Sequence, residues 1–286
     1  MRYFHSYIRS IRNDFPIMIH RLHDNVEMYF EIQGKTDSDT TIVFLNGLSQ
    51  NTLSWTAIAP AFYENHRVVL LDFVFQGKSG VVEKFRSYDE HAADVFDLLG
   101  KNTNGKNEKI FLCGISYGSA VAQHLIVNYP DFFSGALLLS TFGHNTNHFN
   151  AIGESWISAL LAGGYPLMLD VMLPTVLGKS YFEKPLIPIA TLKESRVGRD
   201  LVTDSLLKLM QATNERGDYR GKLKNVKIPV MVVQGEEDFL IPPDVAKEVA
   251  DHIAGAKFFV IEKVGHTLNL EAIPQVIQAI KVLLGS

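Results

Sequence analysis

Short apolar runs alternate with amphipathic stretches from Thr41 to about Leu139, break off, and resume at Ile228. That alternation is the pattern of βαβ units feeding a mainly parallel sheet. The spacing predicts strands over Pro16 to Leu22, Val26 to Gln33, Thr41 to Leu45, Arg67 to Asp72, Lys109 to Gly114, Gly135 to Ser140, Ile228 to Gln234 and Lys257 to Ile261. The first two are expected to pair as an antiparallel edge. Helices are expected over Ser54 to Glu64, Ser87 to Leu99, Ser116 to Tyr129, Pro243 to Ile253 and Ile273 to Leu284, with Pro243 placed to start one. Between Gly143 and about Asn214 the alternation gives way to helical segments rich in Leu and Met. We read residues 143–213 as a helical cap inserted after the sixth strand, and 1–142 with 214–286 as the core. Trp156, Leu160, Leu161, Leu167, Met168, Met172, Leu173 and Leu177 fit two roles equally: the wall of an apolar pocket, or the cap's own small core.

With 286 residues, 47% hydrophobic and 20% charged, the chain can bury a core without disulfides. A net charge of -4 offers no attraction for a phosphate backbone, so nucleic acid is not an expected partner. The single cysteine, Cys113, is expected as a small buried residue, and a reducing cytoplasm suits it. Residues 1–14 carry Arg2, Arg9 and Arg12 without the apolar segment of a secretory signal. The apolar stretch from Trp156 to Leu169 is interrupted by Gly163, Gly164 and Pro166, so no stable membrane insertion is expected.

The stretch KIFLCGISYGSAVAQ, Lys109 to Gln123, joins a strand to a helix through Gly114, Ser116 and Gly118. A turn sharp enough to lift the Ser116 hydroxyl above a sheet leaves no room for a Cβ at either glycine. Ser116 is therefore the candidate nucleophile. A serine hydroxyl needs a base to take its proton and a carboxylate to orient that base. Loops at the carboxyl ends of parallel strands converge on one edge of the sheet, where both can reach the serine. His266 follows the last expected strand in VGHTLNLE, and Asp238 follows the one before it in GEEDFLIP. Glu236 and Glu237 compete with Asp238 for the acid position. An oxyanion needs donors, for which the backbone N–H groups of Tyr117 and Leu48 are placed. Asn46 either ties down the loop before Leu48 or touches substrate.

Other motifs carry less. His144 and His148 have the spacing of metal ligands but no third partner, and nothing in the chain implies a cofactor. The Gly77 to Ser79 and Gly178 to Ser180 triplets lack the first glycine of a phosphate loop, which would fall at Asp72 and Leu173.

The motifs together resemble the α/β-hydrolase superfamily. They are LNG with Trp55 and Pro60, LDFVFQGKS with Asp72, Gly77 and Ser79, YDEHAADVFDLL, the serine turn, YPDFFSGALLLS, GEEDFLIPP and VGHTLNLE. The resemblance implies a mostly parallel eight-stranded sheet flanked by helices under a helical cap. It also implies a Ser116, His266 and Asp238 triad, with Leu48 and Tyr117 at the oxyanion hole. Many members have His-Gly where this chain has Asn46-Gly47. That departure, with FVFQGKS and NERG at Asn214 to Gly217, is similar to 3-hydroxyacyl transferases of rhamnolipid precursor and polyhydroxyalkanoate monomer synthesis, although those carry Ser-Trp-Gly at the turn. The expected activity is hydrolysis of a small ester or acyl thioester. Acyl transfer with the same residues and non-catalytic binding on the same fold are the alternatives.

Overall fold

A computed structural model describes residues 18–103, 108–196 and 203–285. The strands are β1 (Met18–Arg21), β2 (Glu27–Gly34), β3 (Thr40–Leu45), β4 (Arg67–Leu71), β5 (Lys109–Ile115), β6 (Gly135–Leu139), β7 (Val230–Gly235) and β8 (Lys257–Ile261). They form one eight-stranded sheet in the order β1-β2-β4-β3-β5-β6-β7-β8. β2 runs antiparallel to both β1 and β4, and the remaining pairs are parallel. Pro16, expected to open the first strand, and Arg2, Arg9 and Arg12 lie outside the described residues.

The central strands read as unbroken apolar runs because both of their faces are covered. Val43, Leu45, Leu112, Leu138 and Val232 point into one core. It is covered by α1 (Tyr88–Lys101), α2 (Tyr117–Asn128) and α8 (Pro243–Asp251). Ile42, Phe44, Cys113, Leu137 and Val233 point into the other, against Trp55, Ile58, Phe62, Leu268 of α9 (Leu268–Glu271) and α10 (Ile273–Leu284). Cys113 is 1% exposed there, and burial pushes its thiol pKa up. Ser87 starts α1 with a capping box: its hydroxyl accepts from the Glu90 N–H, and the Glu90 carboxylate accepts from the Ser87 N–H.

The sequence is misleading over Ser54 to Glu64. Instead of one α-helix the chain makes two 3₁₀ turns, Thr52–Trp55 and Ala59–Phe62. Pro60 contributes no N–H to a continuous helix. Trp55 is also held in place from outside, since its indole N–H donates to Asn46 Oδ1 at 2.9 Å.

Between β6 and β7 lie α3 (Asn147–Val176), α4 (Lys179–Glu183), α5 (Ile189–Arg196), α6 (Thr203–Glu215) and α7 (Arg220–Leu223). α6 runs through the expected boundary at 213/214, because its apolar residues Leu206, Leu209 and Met210 are buried in continuity with the core. By length and composition α3 passes as a membrane span. It is broken at Gly163 and Gly164, the latter at φ 67° and ψ -168°, and Trp156, Leu160, Met168 and Met172 turn into the protein.

Candidate active site

Ser116 sits between β5 and α2 at φ 53° and ψ -113°, a conformation L-residues rarely adopt. Close approach of the backbone enforces it. A Cβ on Gly114 would lie 2.5 Å from Gly118 O, and one on Gly118 would lie 2.3 Å from Leu45 O. The Ser116 N–H donates to Leu139 O on β6 at 2.9 Å, and Ser119 Oγ donates to Ser116 O at 2.7 Å. The turn is thus pinned to two neighbouring strands. Tyr117 is the first residue of α2, so its N–H is among the donors that find no acceptor within the helix.

Asn46 ties down its loop. Its amide N–H donates to Leu71 O at 2.7 Å while its Oδ1 accepts from Trp55, and the residue is fully buried. Gln76 Nε2 donates to the carbonyls of Gly47 and Leu48 at 2.8 and 3.1 Å, and Gln50 Oε1 accepts from the Gly47 N–H at 3.2 Å. Side-chain amides therefore fix the loop that carries Leu48. Asp72 braces the next turn, accepting from the N–H groups of Thr52 at 2.8 Å and Lys78 at 2.9 Å. Burial pushes its pKa up to about 6. A Cβ on Gly77 would fall 2.0 Å from its carboxylate, which accounts for the glycine in the first GKS triplet.

Asp238 Oδ2 lies 2.7 Å from His266 Nδ1, with the carboxylate fully buried and the imidazole 6% exposed. The acid is held by Gln234 Nε2 at 2.5 Å and by the Ile241 N–H at 2.8 Å. Its two competitors face elsewhere. Glu236 accepts from the Lys263 N–H at 3.1 Å, and Glu237 accepts from the N–H and hydroxyl of Ser180, each at 2.8 Å. The second GKS triplet is consequently a docking point between the inserted helices and the acid loop. Gly178 also abuts Gly265, where a Cβ would meet Gly178 N at 2.1 Å. The His266 N–H donates to Val176 O at 2.9 Å, and its carbonyl accepts from Ser140 Oγ at 2.6 Å.

Leu48, Ser116, Tyr117 and His266 line a single cavity of about 90 Å³, with Asp238 behind the imidazole. One water needs roughly 10–15 Å³ measured in this way, so there is space for a small ligand. Of the apolar residues singled out between 143 and 213, Trp156, Met172, Leu173 and Leu177 line the cavity. Leu160 and Met168 are buried in the core, and Leu161 and Leu167 face solvent. Neither expected role holds for all of them.

Sequence reasoning missed Ser140, Gln234 and Glu271. The last accepts from the N–H groups of Gly178 and Gly265, each at 2.9 Å. None carries a motif of its own, although Glu271 closes VGHTLNLE and Ser140 closes YPDFFSGALLLS. In the NERG segment, Arg216 donates to Phe142 O at 2.8 Å and Gln123 Oε1 at 2.6 Å, and burial lowers its pKa to about 10. His148 packs its ring 4.9 Å from that of Phe239, and His144 Nδ1 lies 3.5 Å from Glu248. Among the described residues no group of three or more His, Cys, Asp or Glu side chains could hold a metal ion.

A family model described as serine aminopeptidase, S33, matches residues 36–272. Proline iminopeptidase PfmaB of Pestalotiopsis fici is 20% identical over 272 residues, covering 90% of this chain and 96% of that protein. Strigolactone esterase D14 of Arabidopsis thaliana is 22% identical over 254 residues, covering 85% of this chain and 91% of the relative. Among solved structures, an α/β-hydrolase enzyme from a Medee basin deep-sea metagenome library superposes with a TM-score of 0.84. It is 23% identical and covers 94% of this chain and 98% of its own.

Proposed function

The chain belongs to the α/β-hydrolase family described as serine aminopeptidase, and from that premise we propose that it is a serine hydrolase cleaving a carboxylic ester or thioester of a small, largely apolar acyl group. The observation that carries this reading is the 2.7 Å contact between Asp238 and His266 at the edge of a cavity that Ser116 shares.

In the proposed reaction His266 Nε2 takes the Ser116 proton as Oγ bonds to the carbonyl carbon. Asp238 holds the proton on Nδ1 and stabilises the imidazolium that forms. Charge developing on the carbonyl oxygen is met by the N–H groups of Tyr117 and Leu48, and such a donor is worth about 2.7–4 kcal/mol in the barrier. The tetrahedral intermediate collapses, the alcohol or thiol leaves with the proton from His266, and an acyl-Ser116 ester remains. Water activated by the same imidazole then releases the acid and restores Oγ–H.

Ester chemistry is favoured over aminopeptidase chemistry by the cavity wall. A free peptide amino terminus is a cation at neutral pH, and burying it calls for a counter-charge. Among the described residues no Asp, Glu, Lys or Arg lines the cavity. An uncharged acyl group meets no such penalty there.

The test is a panel of esters of graded acyl length with thioesters included, assayed with and without a hydroxyacid acceptor. Free acid as the product, from short acyl groups and independent of acceptor, supports hydrolysis. Acceptor-dependent formation of a new ester identifies an acyltransferase instead. Turnover of amino-acid amides but not of esters overturns the proposal.

A further inference from the structure

Gly47 and Leu48 share one peptide unit, in which the Gly47 carbonyl and the Leu48 N–H point in opposite directions because the bond is trans. Whatever grips the carbonyl therefore aims the N–H. Two donors grip it: the backbone N–H of Gln50 at 3.1 Å, within the same turn, and Gln76 Nε2 at 2.8 Å, from the loop after β4. Gln76 Nε2 also donates to Leu48 O at 3.1 Å, so one side chain holds the carbonyls on both sides of the Leu48 N–H. Gln76 is itself firmly mounted. It is 1% exposed, its backbone N–H donates to Phe73 O at 2.8 Å, and its carbonyl accepts from the Ser79 N–H at 2.9 Å. Asn46 Nδ2 lies 3.4 Å from Gln76 Oε1, which turns the amide so that Nε2 faces the loop. Leu48 lines the cavity and Gln76 does not, so Gln76 acts on a ligand there only through the loop.

We infer that Gln76 is a positioning residue of the oxyanion hole, aiming the Leu48 N–H at the oxygen of the tetrahedral intermediate by holding the Gly47 and Leu48 carbonyls. This rests on the hydrolase reading above and adds to it a residue that works on the barrier without touching substrate. As negative charge grows on the oxyanion it polarises the Leu48 N–H, and the Gly47 carbonyl of the same peptide becomes a stronger acceptor for Gln76. The bond to Gln76 therefore tightens in the transition state and not in the bound substrate. Such a difference lowers the barrier, whereas an interaction equal in both states would only tighten binding.

Two measurements test the inference. The first compares inhibition by 1,1,1-trifluorohexan-2-one and by hexan-2-one in the wild type and in Gln76→Met, which keeps the length of the side chain and removes its donors. With the trifluoro ketone, Ser116 Oγ bonds to the carbonyl carbon, the hydroxyl proton passes to His266, and the ketone oxygen takes the negative charge. Hexan-2-one, far less electrophilic, binds as the intact ketone. The readout is the ratio of the two inhibition constants within one protein, so a general change in the shape of the cavity cancels. Preference for the trifluoro ketone should fall by about 10-fold or more in Gln76→Met, approaching the roughly 10²–10³ lost when an oxyanion donor is removed outright. Ester kcat should fall with it while KM stays within about twofold. A ratio equal to that of the wild type overturns the inference.

The second needs no change at Gln76 and so does not depend on the variant folding. In ¹⁵N-labelled wild type the Gln76 side-chain N–H signals, assigned through their contacts to Gly47 and Leu48, are followed as each ketone is added. The proton that Gly47 O accepts should move downfield with the trifluoro ketone and hold its place with hexan-2-one. No movement, or equal movement with both, contradicts the inference. The ¹⁹F spectrum of the same sample separates the two proposals. A trifluoro ketone that forms no Ser116 adduct in the wild type sinks the hydrolase reading and this inference with it. An adduct that forms while the ratio and the Gln76 signals stay unchanged sinks this inference alone.

Discussion

The serine turn and the kink in α3 both depend on glycine, and for different reasons. At Gly114 and Gly118 the obstacle is space, with backbone atoms of α2 and β3 within 2.5 Å of any added Cβ. At Gly164 the nearest obstacle is Pro166 Cδ at 3.7 Å, and only the dihedrals, φ 67° and ψ -168°, favour glycine. One region is fixed by packed backbone and has a single solution. The other is a bend in a helical layer whose apolar side chains are divided between cavity wall, core and surface. In the proposed function the first carries the chemistry, which requires a fixed geometry, and the second contributes part of the cavity wall.

The largest expected effect lies in the turn. Ser116→Ala should lower kcat by about three orders of magnitude or more, with the melting temperature moving by no more than a few degrees. Steady-state assay and thermal denaturation of the same preparation check it, and substantial residual activity would remove the turn from the chemistry.

Next comes the paired glycine test. Gly118→Ala forces its Cβ against Leu45 O and Asn46 O and should cost about 3 kcal/mol or more. Gly164→Ala meets only the penalty of dihedrals that are essentially confined to glycine, about 1–3 kcal/mol. Denaturant midpoints should separate the two, and equal losses would erase the distinction between a packed turn and a bend.

The smallest effect concerns pH. His91 is fully buried, its ring 5.6 Å from that of Tyr117, and neither ring nitrogen has a hydrogen-bond partner among the described residues. Burial first, and the Arg86 charge second, push its pKa down to about 3. The unfolded chain takes up this proton near pH 6.5 and the folded protein does not. Stability from His91 is therefore complete above about pH 6.5 and falls as the pH drops towards 3. His91→Phe should flatten the slope of unfolding free energy against pH in that window by about one proton. An unchanged slope would show that His91 protonates without loss of structure.

The same contrast explains what was legible in the sequence. β3 to β7 could be read within a residue or two because strands covered on both faces must be apolar throughout, and β8 was legible from its apolar run although it is the largely exposed edge of the sheet. The serine turn could be read because no other residue fits where Gly114 and Gly118 lie. Asp238 could be favoured for the acid by its place four residues before Pro242, but Glu236 and Glu237 stayed in competition, because the three differ in where the loop aims them, and that depends on Gln234 at the end of β7 and on Ser180 from the inserted helices. Asn46 was left between two roles because its partners, Leu71 O and Trp55, meet it only in the folded sheet. The helix expected at Ser54 to Glu64 failed where tertiary contacts to Trp55 and Thr52 overrode local periodicity. Between 143 and 213, Leu160 and Leu161 are adjacent, yet one is buried and the other is 66% exposed, and no pattern of residue types separates them.

The central claim is that the Ser116 hydroxyl is activated through His266 and Asp238, and the most direct measurement is covalent labelling by a fluorophosphonate read by intact mass and peptide mapping. One adduct is expected, on Ser116, formed far more slowly in His266→Ala at equal fold stability. No adduct on the folded wild type, or an adduct on a different residue, would contradict it.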